Sequence, residues 1–281
     1  MKRFLRLLLR RRPIAAVALG VIAAISAGAI AAPWLGLPRP DRIEMSQRLQ
    51  PPSAAHPFGT DNFGRDVLTR VVYSGRVSLP IGVAVMLLST VFGTFVGLVT
   101  GYYRKVDGVV TRILEGLMAF PAILLAIALV AALGFGARNE VIAIGLVYFP
   151  RTARIVRAST LQLKARAFVE AAVALGEGDA RILAVHILRN ALPPLIVQST
   201  FVFAEAILAD AALSFLGLGV KPPTPTWGNM LDDAHVFVQL APWFIVFPGL
   251  AIVVTVLSLN LLGDAVRDLV DPHAVAGRGI G

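Results

Sequence analysis

Apolar residues in this chain run in long stretches, not in the short alternations of a fold that shows one face to water. Six stretches, at about 13–34, 78–101, 109–135, 140–158, 191–217 and 240–262, are long enough to cross a bilayer as helices. Glycine and proline punctuate them at Gly93, Gly97, Pro121, Gly145 and Pro248, which membrane helices tolerate when neighbours re-satisfy the backbone. Gly93 and Gly97 stand four apart, a spacing that permits close helix contact but is weak evidence alone. The first stretch follows a basic start and is rich in small residues, as a signal peptide would be. Its apolar run of about 20 residues is longer than a signal-peptide core, so it reads as a retained first transmembrane helix. No internal repeat or low-complexity tract interrupts the series.

Composition agrees. Of 281 residues, 57% are hydrophobic and 15% are charged, against roughly 25% charged in soluble domains. A soluble fold would lack polar side chains to cover itself, so the expectation is an all-α integral membrane protein in a lipid bilayer. The net charge of +9 is explained by anionic head groups and by orientation, and needs no nucleic-acid partner. With a cytoplasmic N-terminus, the inner segments hold 18 of the 26 basic residues, and six of the other eight lie in the loop 36–76. Long loops translocate with less regard to charge, so both termini are expected inside. The expected organisation is an N-terminus and first helix (1–35), an outer loop with a lead-in helix (36–76), a core of five further spans (77–264) with an inner segment at 159–190, and a cytoplasmic tail (265–281).

The longest polar break on that inner side, FVEAAVALGEGDARILAVHILRNALPP, runs from Phe168 to Pro194. Phe168, Ala171, Ala172 and Leu175 fall at i, i+3, i+4 and i+7, a narrow stripe of mostly small side chains on one helix. Gly176 breaks that helix. Asp179 is placed to cap a second helix at 180–190, and Pro193 and Pro194 suit the first turn of the next span. Two readings fit: an amphipathic connector lying on lipid, or a docking helix for a cytoplasmic partner.

Candidate chemistry is sparse. There is no GxxxxGK[ST] loop, so ATP is not expected to bind here; there is no HExxH and no serine or cysteine nucleophile near a histidine. Histidines at 56, 186, 235 and 273 have no metal-ligand spacing, and the chain has no cysteine. No catalytic residue, metal or cofactor is expected, and the chain is not read as an enzyme. Charges inside spans are the default functional candidates: Glu205 and Asp210 in the fifth span, Glu115 near the start of the third. Either of the first two could face a translocation path and meet an ammonium group, or bond a neighbouring helix. Arg151, Arg154 and Arg157 repeat every three residues and read as inner-side anchoring. Between His56 and Leu79, Gly59 and Gly64 give turns, Asp61 can cap or pair with Arg65, and Val67 to Val77 forms a lead-in helix. That segment reads mainly as a structural elbow. The segment 220–240, with Pro222, Pro223, Pro225, Trp227 and Gly228, is stiff and external, either a gate or a capped loop.

The inner segment resembles the coupling-helix signature of ABC-importer permeases through Glu170, Ala171, Ala172, Gly176, Ile187, Leu192 and Pro193. HPFGTDNFGRDVLTRVVYSGRVSL (56–79), LSFLGLGVKPPTPTWGNML (213–231) and the tail 241–272 are similar to the C-type permeases of dipeptide and oligopeptide importers. Arg189 departs from that branch, which usually has proline there. The resemblance implies the type I permease fold, six transmembrane helices with a cytoplasmic coupling helix, in a bacterial inner membrane. It implies that Glu170, Ala171 and Ala172 line the docking face, with Leu175, Gly176 as the bend, and His186 at a position where the branch often has histidine. It implies Asp61, Arg65 and Trp227 as candidates for an outer gate or binding-protein contact. The implied partners are a second related permease, two ATP-binding subunits that hydrolyse ATP, and an extracytoplasmic substrate-binding protein. Short peptides are the expected cargo, with nickel, glutathione or haem as same-family alternatives. A secondary transporter or a membrane scaffold are rivals of other classes.

Overall fold

The computed structural model describes residues 13–270, which leaves the six basic residues before Pro13, His273 and most of the expected tail outside the described residues. Nine helices are labelled here: α1 Pro13–Ala31, α2 Val67–Tyr102, α3 Arg104–Met118, α4 Ala122–Leu133, α5 Ala137–Lys164, α6 Ala167–Ala174, α7 Asp179–Phe215, α8 Trp227–His235 and α9 Pro242–Val270. No strand occurs among the described residues beyond one isolated bridge between Thr60 and Asp66.

Among the described residues, four helical segments are long and apolar enough to cross a membrane: Pro13–Trp34, α2, α7 and α9. The expected third span, 109–135, is not one helix. It is α3 and α4, bent by 96° across Ala119 to Pro121. Pro121 has no N–H to donate and disfavours the helical conformation at the residue before it, so the helix stops there. α3 is amphipathic and α4 is apolar throughout; the pair counts as one more span only if taken together. α5 has the length, at 28 residues, but arginines at 151, 154 and 157 make it more polar than those four.

Two other expected boundaries move. The lead-in helix and the second span form one continuous helix, α2, which starts where Asp66 accepts a hydrogen bond from Thr69 N at 2.7 Å. The double proline does not open a span either. Pro193 and Pro194 lie well inside α7, downstream of a π-helical stretch at Ile182–Ile187. Wider winding there, with Asn190 Nδ2 donating to the His186 carbonyl at 2.6 Å, accompanies the break that two missing donors make in the ladder.

The centre of the fold is the seam between α2 and α5. Gly93, Gly97 and Gly101 recur every four residues on α2. A Cβ on Gly97 would lie 2.6 Å from the Ala153 carbonyl oxygen, and one on Gly93 or Gly101 would strike Thr152 or Thr160. The helices therefore meet backbone to backbone, as small-residue spacing allows in membranes. Ile81, Val85, Val130, Ile144, Val202 and Leu213 fill the space between α2, α4, α5 and α7. A second cluster around Ala29, Leu79, Ile207, Trp227 and Ile252 ties α1, α8 and α9 to the same body.

Candidate functional site

The polar break between α5 and α7 folds back against the C-terminal end of α2. α6 turns Val169 and Ala172 inward, onto Ile182 and Ile187, with Leu98, Tyr102 and Leu163 around them. Its other side is open: Phe168 is 43% exposed and Leu175 83%, and Glu170 and Ala171 are exposed beside them. The expected stripe thus splits. Ala172 is 4% exposed and holds α6 to the chain's own body, because the inward side also recruits Val169. Phe168, Glu170, Ala171 and Leu175 form the free face.

The helix ends as the sequence requires. Gly176 takes φ of +77°, its N–H bonds the Val173 carbonyl at 3.0 Å, and Glu177 N bonds the Ala172 carbonyl at 3.1 Å. This is a Schellman turn, and glycine is the residue that enters its left-handed position without strain. Asp179 does not cap. Gly178 occupies the cap position, and the Asp179 carboxylate accepts from Tyr102 Oη and Tyr103 Oη, each at 2.9 Å. That hydrogen bond pushes the Tyr103 phenol above its ordinary value. Lys164 Nζ donates to the Tyr102 carbonyl at 2.7 Å. His186 Nε2 lies 2.9 Å from Glu177 Oε2, and Arg181 reaches the same carboxylate at 3.5 Å. His186 therefore sits at the root of the bend and not on the exposed face. The adjacent tyrosines and Glu177 carried no motif that marked them beforehand.

The three arginines of α5 have three different fates. Arg157 is held by Asp107 of α3 through two bonds, at 2.5 and 2.7 Å. Arg151 Nη1 meets both oxygens of Glu205 at 2.8 and 2.9 Å, with both side chains partly exposed. Arg154 donates to Met118 Sδ at 2.9 Å. Arg151, Arg154, Ile155, Gln198, Phe201, Glu205 and Asn260 line a cavity of about 440 Å³ between α5, α7 and α9. Anchoring alone does not describe these arginines, since each of them reaches a neighbouring helix.

Asp210 lies elsewhere. It is 1% exposed, and beside it are Glu140 of α5, itself fully buried, and the hydroxyls of Ser78 and Ser214. Of the two readings open for Asp210, this placement is that of a carboxyl packed against neighbouring helices, with α2 and α5 covering it. Glu140, the first residue of the stretch 140–158, carried the same signal as Glu115, a charge at the start of a span, but its partner seventy positions away could not be read from the sequence.

The outer candidates are also enclosed. Asp61 is fully buried and accepts from Phe63 N, Arg65 N and Arg65 Nε, the last at 2.5 Å. Arg65 continues to Asp233 of α8 at 3.1 Å, and Arg70 reaches Asp233 at 3.5 Å. Burial pushes the Asp233 carboxyl above its ordinary range, against the pull of the two arginines. Trp227, 2% exposed, donates its indole N–H to the Val71 carbonyl at 3.0 Å. Asp61, Arg65 and Trp227 therefore clamp the start of α2 to α8 and do not present a surface. His56 Nδ1 joins this end through Asp66 at 2.9 Å. Among the described residues no three His, Asp or Glu side chains gather into a group that could hold a metal.

Comparison with known proteins adds an independent line. Residues 89–275 match the family described as binding-protein-dependent transport system inner membrane component. A dipeptide transport system permease protein, DppC, of Alkalihalophilus pseudofirmus is 46% identical over 94% of this chain and 87% of its own length. The di/tripeptide permease DppC of Pseudomonas aeruginosa is 41% identical over 87% of this chain and 83% of its own. A glutathione transport system permease, GsiD, of Pectobacterium atrosepticum is 44% identical over 79% and 74%.

Proposed function

The chain belongs to the family of binding-protein-dependent transport system inner membrane components, and from that premise we propose that it is the permease subunit of an ATP-driven importer of dipeptides or short oligopeptides. The permease crosses the membrane six times with both termini inside, the bent α3–α4 pair and α5 supplying the two crossings that composition leaves open. A second, related permease completes the path. Two ATP-binding subunits dock on the cytoplasmic side, and an extracytoplasmic binding protein delivers the cargo.

The observation that carries this reading is the split face of α6. A helix of eight residues shows Phe168, Glu170, Ala171 and Leu175 to solvent while Val169 and Ala172 anchor it. Exposed large apolar side chains on a short, braced helix suit a partner's groove better than water. ATP-driven closure of the docked subunits pushes α6, and the push reaches α5 and α7, which flank it in the chain. Glu205 lines the path; Asp210 is not offered for that role.

Gentle purification of the tagged chain from its native membrane, with mass spectrometry of what accompanies it, tests the assembly. Recovery of a second permease and ATP-binding subunits is expected. A stable chain recovered alone would sink the reading and leave the exposed face of α6 without a partner.

A further inference from the structure

The cavity between α5, α7 and α9 holds an unbalanced set of charges. Arg157 is taken by Asp107, outside the cavity lining. Inside it, Glu205 is matched by Arg151, while Arg154 meets a thioether and makes no ion pair among the described residues. The lining thus carries one guanidinium in excess. It also carries the amides of Gln198 and Asn260 and the ring of Phe201.

Resting on the permease reading above, we propose that this cavity binds a short zwitterionic peptide by its two ends, the terminal carboxylate on Arg154 and Arg151 and the terminal ammonium on Glu205. A guanidinium offers a planar fork that matches a carboxylate with two parallel bonds. The Arg151–Glu205 pair is half-exposed, and pairs of that kind are held weakly. It can open so that each member takes the peptide end of opposite charge; Arg151 and Arg154 then share the one carboxylate, and the cavity keeps its net positive charge. Gln198 and Asn260 can bond a peptide group of any sequence, since every peptide has one. A site that reads ends and backbone passes varied side chains. At about 440 Å³ the cavity has room for a dipeptide and for side chains of different size.

The chain has no cysteine, so the substitution Ile155→Cys, at a lining residue given no contact with the peptide, puts a single reporter thiol in this chain's cavity wall. In the assembled importer, kept without its binding protein, labelling of that thiol by a small charged reagent is timed with millimolar dialanine, dialanine amide or N-acetyl-dialanine. Dialanine at about four times its Kd slows labelling by about fivefold; the amide and the acetylated peptide protect much less. Adding Arg154→Gln removes the protection, Arg154→Lys keeps part of it, and Glu205→Gln weakens it. Equal protection by all three compounds, protection by none, undiminished protection with Arg154→Gln, or a thiol the reagent never reaches would each overturn the proposal. Uptake of dialanine by the same importer, with its binding protein restored, separates two failures. Uptake without protection sinks this site alone; no ATP-driven uptake sinks the permease reading as well.

Discussion

Asp107 and Arg157, fifty positions apart, grip one another through two hydrogen bonds at 2.5 and 2.7 Å. The pair fastens α3 to α5 beside the place where a single third span was expected. Thr111 Oγ1 donates to the same carboxylate at 2.8 Å, so the acid has three donors.

Asp107→Asn keeps the shape and removes the charge. Both side chains are about three-quarters covered, so the loss is set near that of a charge-assisted bond discounted for solvent, about 1 kcal/mol. Thermal unfolding in detergent should fall by a few degrees, and Arg157→Gln should add little on top of it. Additive losses would mean that the two residues act apart.

Gly97→Ala tests the seam of α2 and α5. The new methyl would meet the Ala153 carbonyl oxygen and Val156 Cβ at 2.6 and 2.7 Å, and a partner's backbone cannot swing aside as a side chain can. Overpacking of this kind costs roughly 1–3 kcal/mol. Gly116→Ala on α3, with nothing within 4 Å of its new methyl, serves as the control and should stabilise slightly. Equal behaviour of the two variants would contradict the close approach.

At the bend, Gly176→Val forces a β-branched residue to φ of +77° with no clash to relieve, a strain of about 1–3 kcal/mol. The variant should insert in the membrane yet hydrolyse ATP without proportionate uptake, and Gly176→Asn should be milder, since asparagine tolerates this conformation. Glu170→Lys reverses a charge on the exposed face and should uncouple in the same way. Normal uptake by both Gly176→Val and Glu170→Lys would remove the docking role from α6.

Single cysteines report the orientation. Ala165→Cys, exposed beside α6, should react only with reagent on the cytoplasmic side, and Thr224→Cys, exposed in the proline-rich segment, only from outside. Pro225 is a poor choice for that probe, because it is buried. Labelling of both positions from one side would overturn the six-crossing topology.

The long apolar stretches foretold where α1, α2, α7 and α9 lie, because burial in lipid demands about twenty apolar residues whatever the tertiary fold. Glycine at 176 foretold the bend for an equally local reason. What the sequence did not disclose depended on distance. Averaging hydropathy over 109–135 hides a 96° corner, although Pro121 marks it. Pro193–Pro194 carried two opposed meanings, a helix start or an interruption, and the π-helical turn upstream decided between them. Glu140 beside Asp210 and Asp233 beside Arg65 are partnerships across separate helices, invisible to spacing. Asp61, Arg65 and Trp227 were singled out in the sequence, and their polar atoms are spent on holding the start of α2 to α8.

The glycine seam has a mechanical consequence. Two helices joined backbone to backbone act as one stiff beam, and the exposed helix α6 is attached to the end of that beam by a link only two residues long, Ala165 and Arg166. A force on α6 therefore has little slack to take up before it turns the beam. With α5 about 42 Å long at 1.5 Å per residue, a tilt of about 10° about one end carries the other through about 7 Å, so a small stroke at the α6 end of the beam becomes a displacement of molecular size at the other.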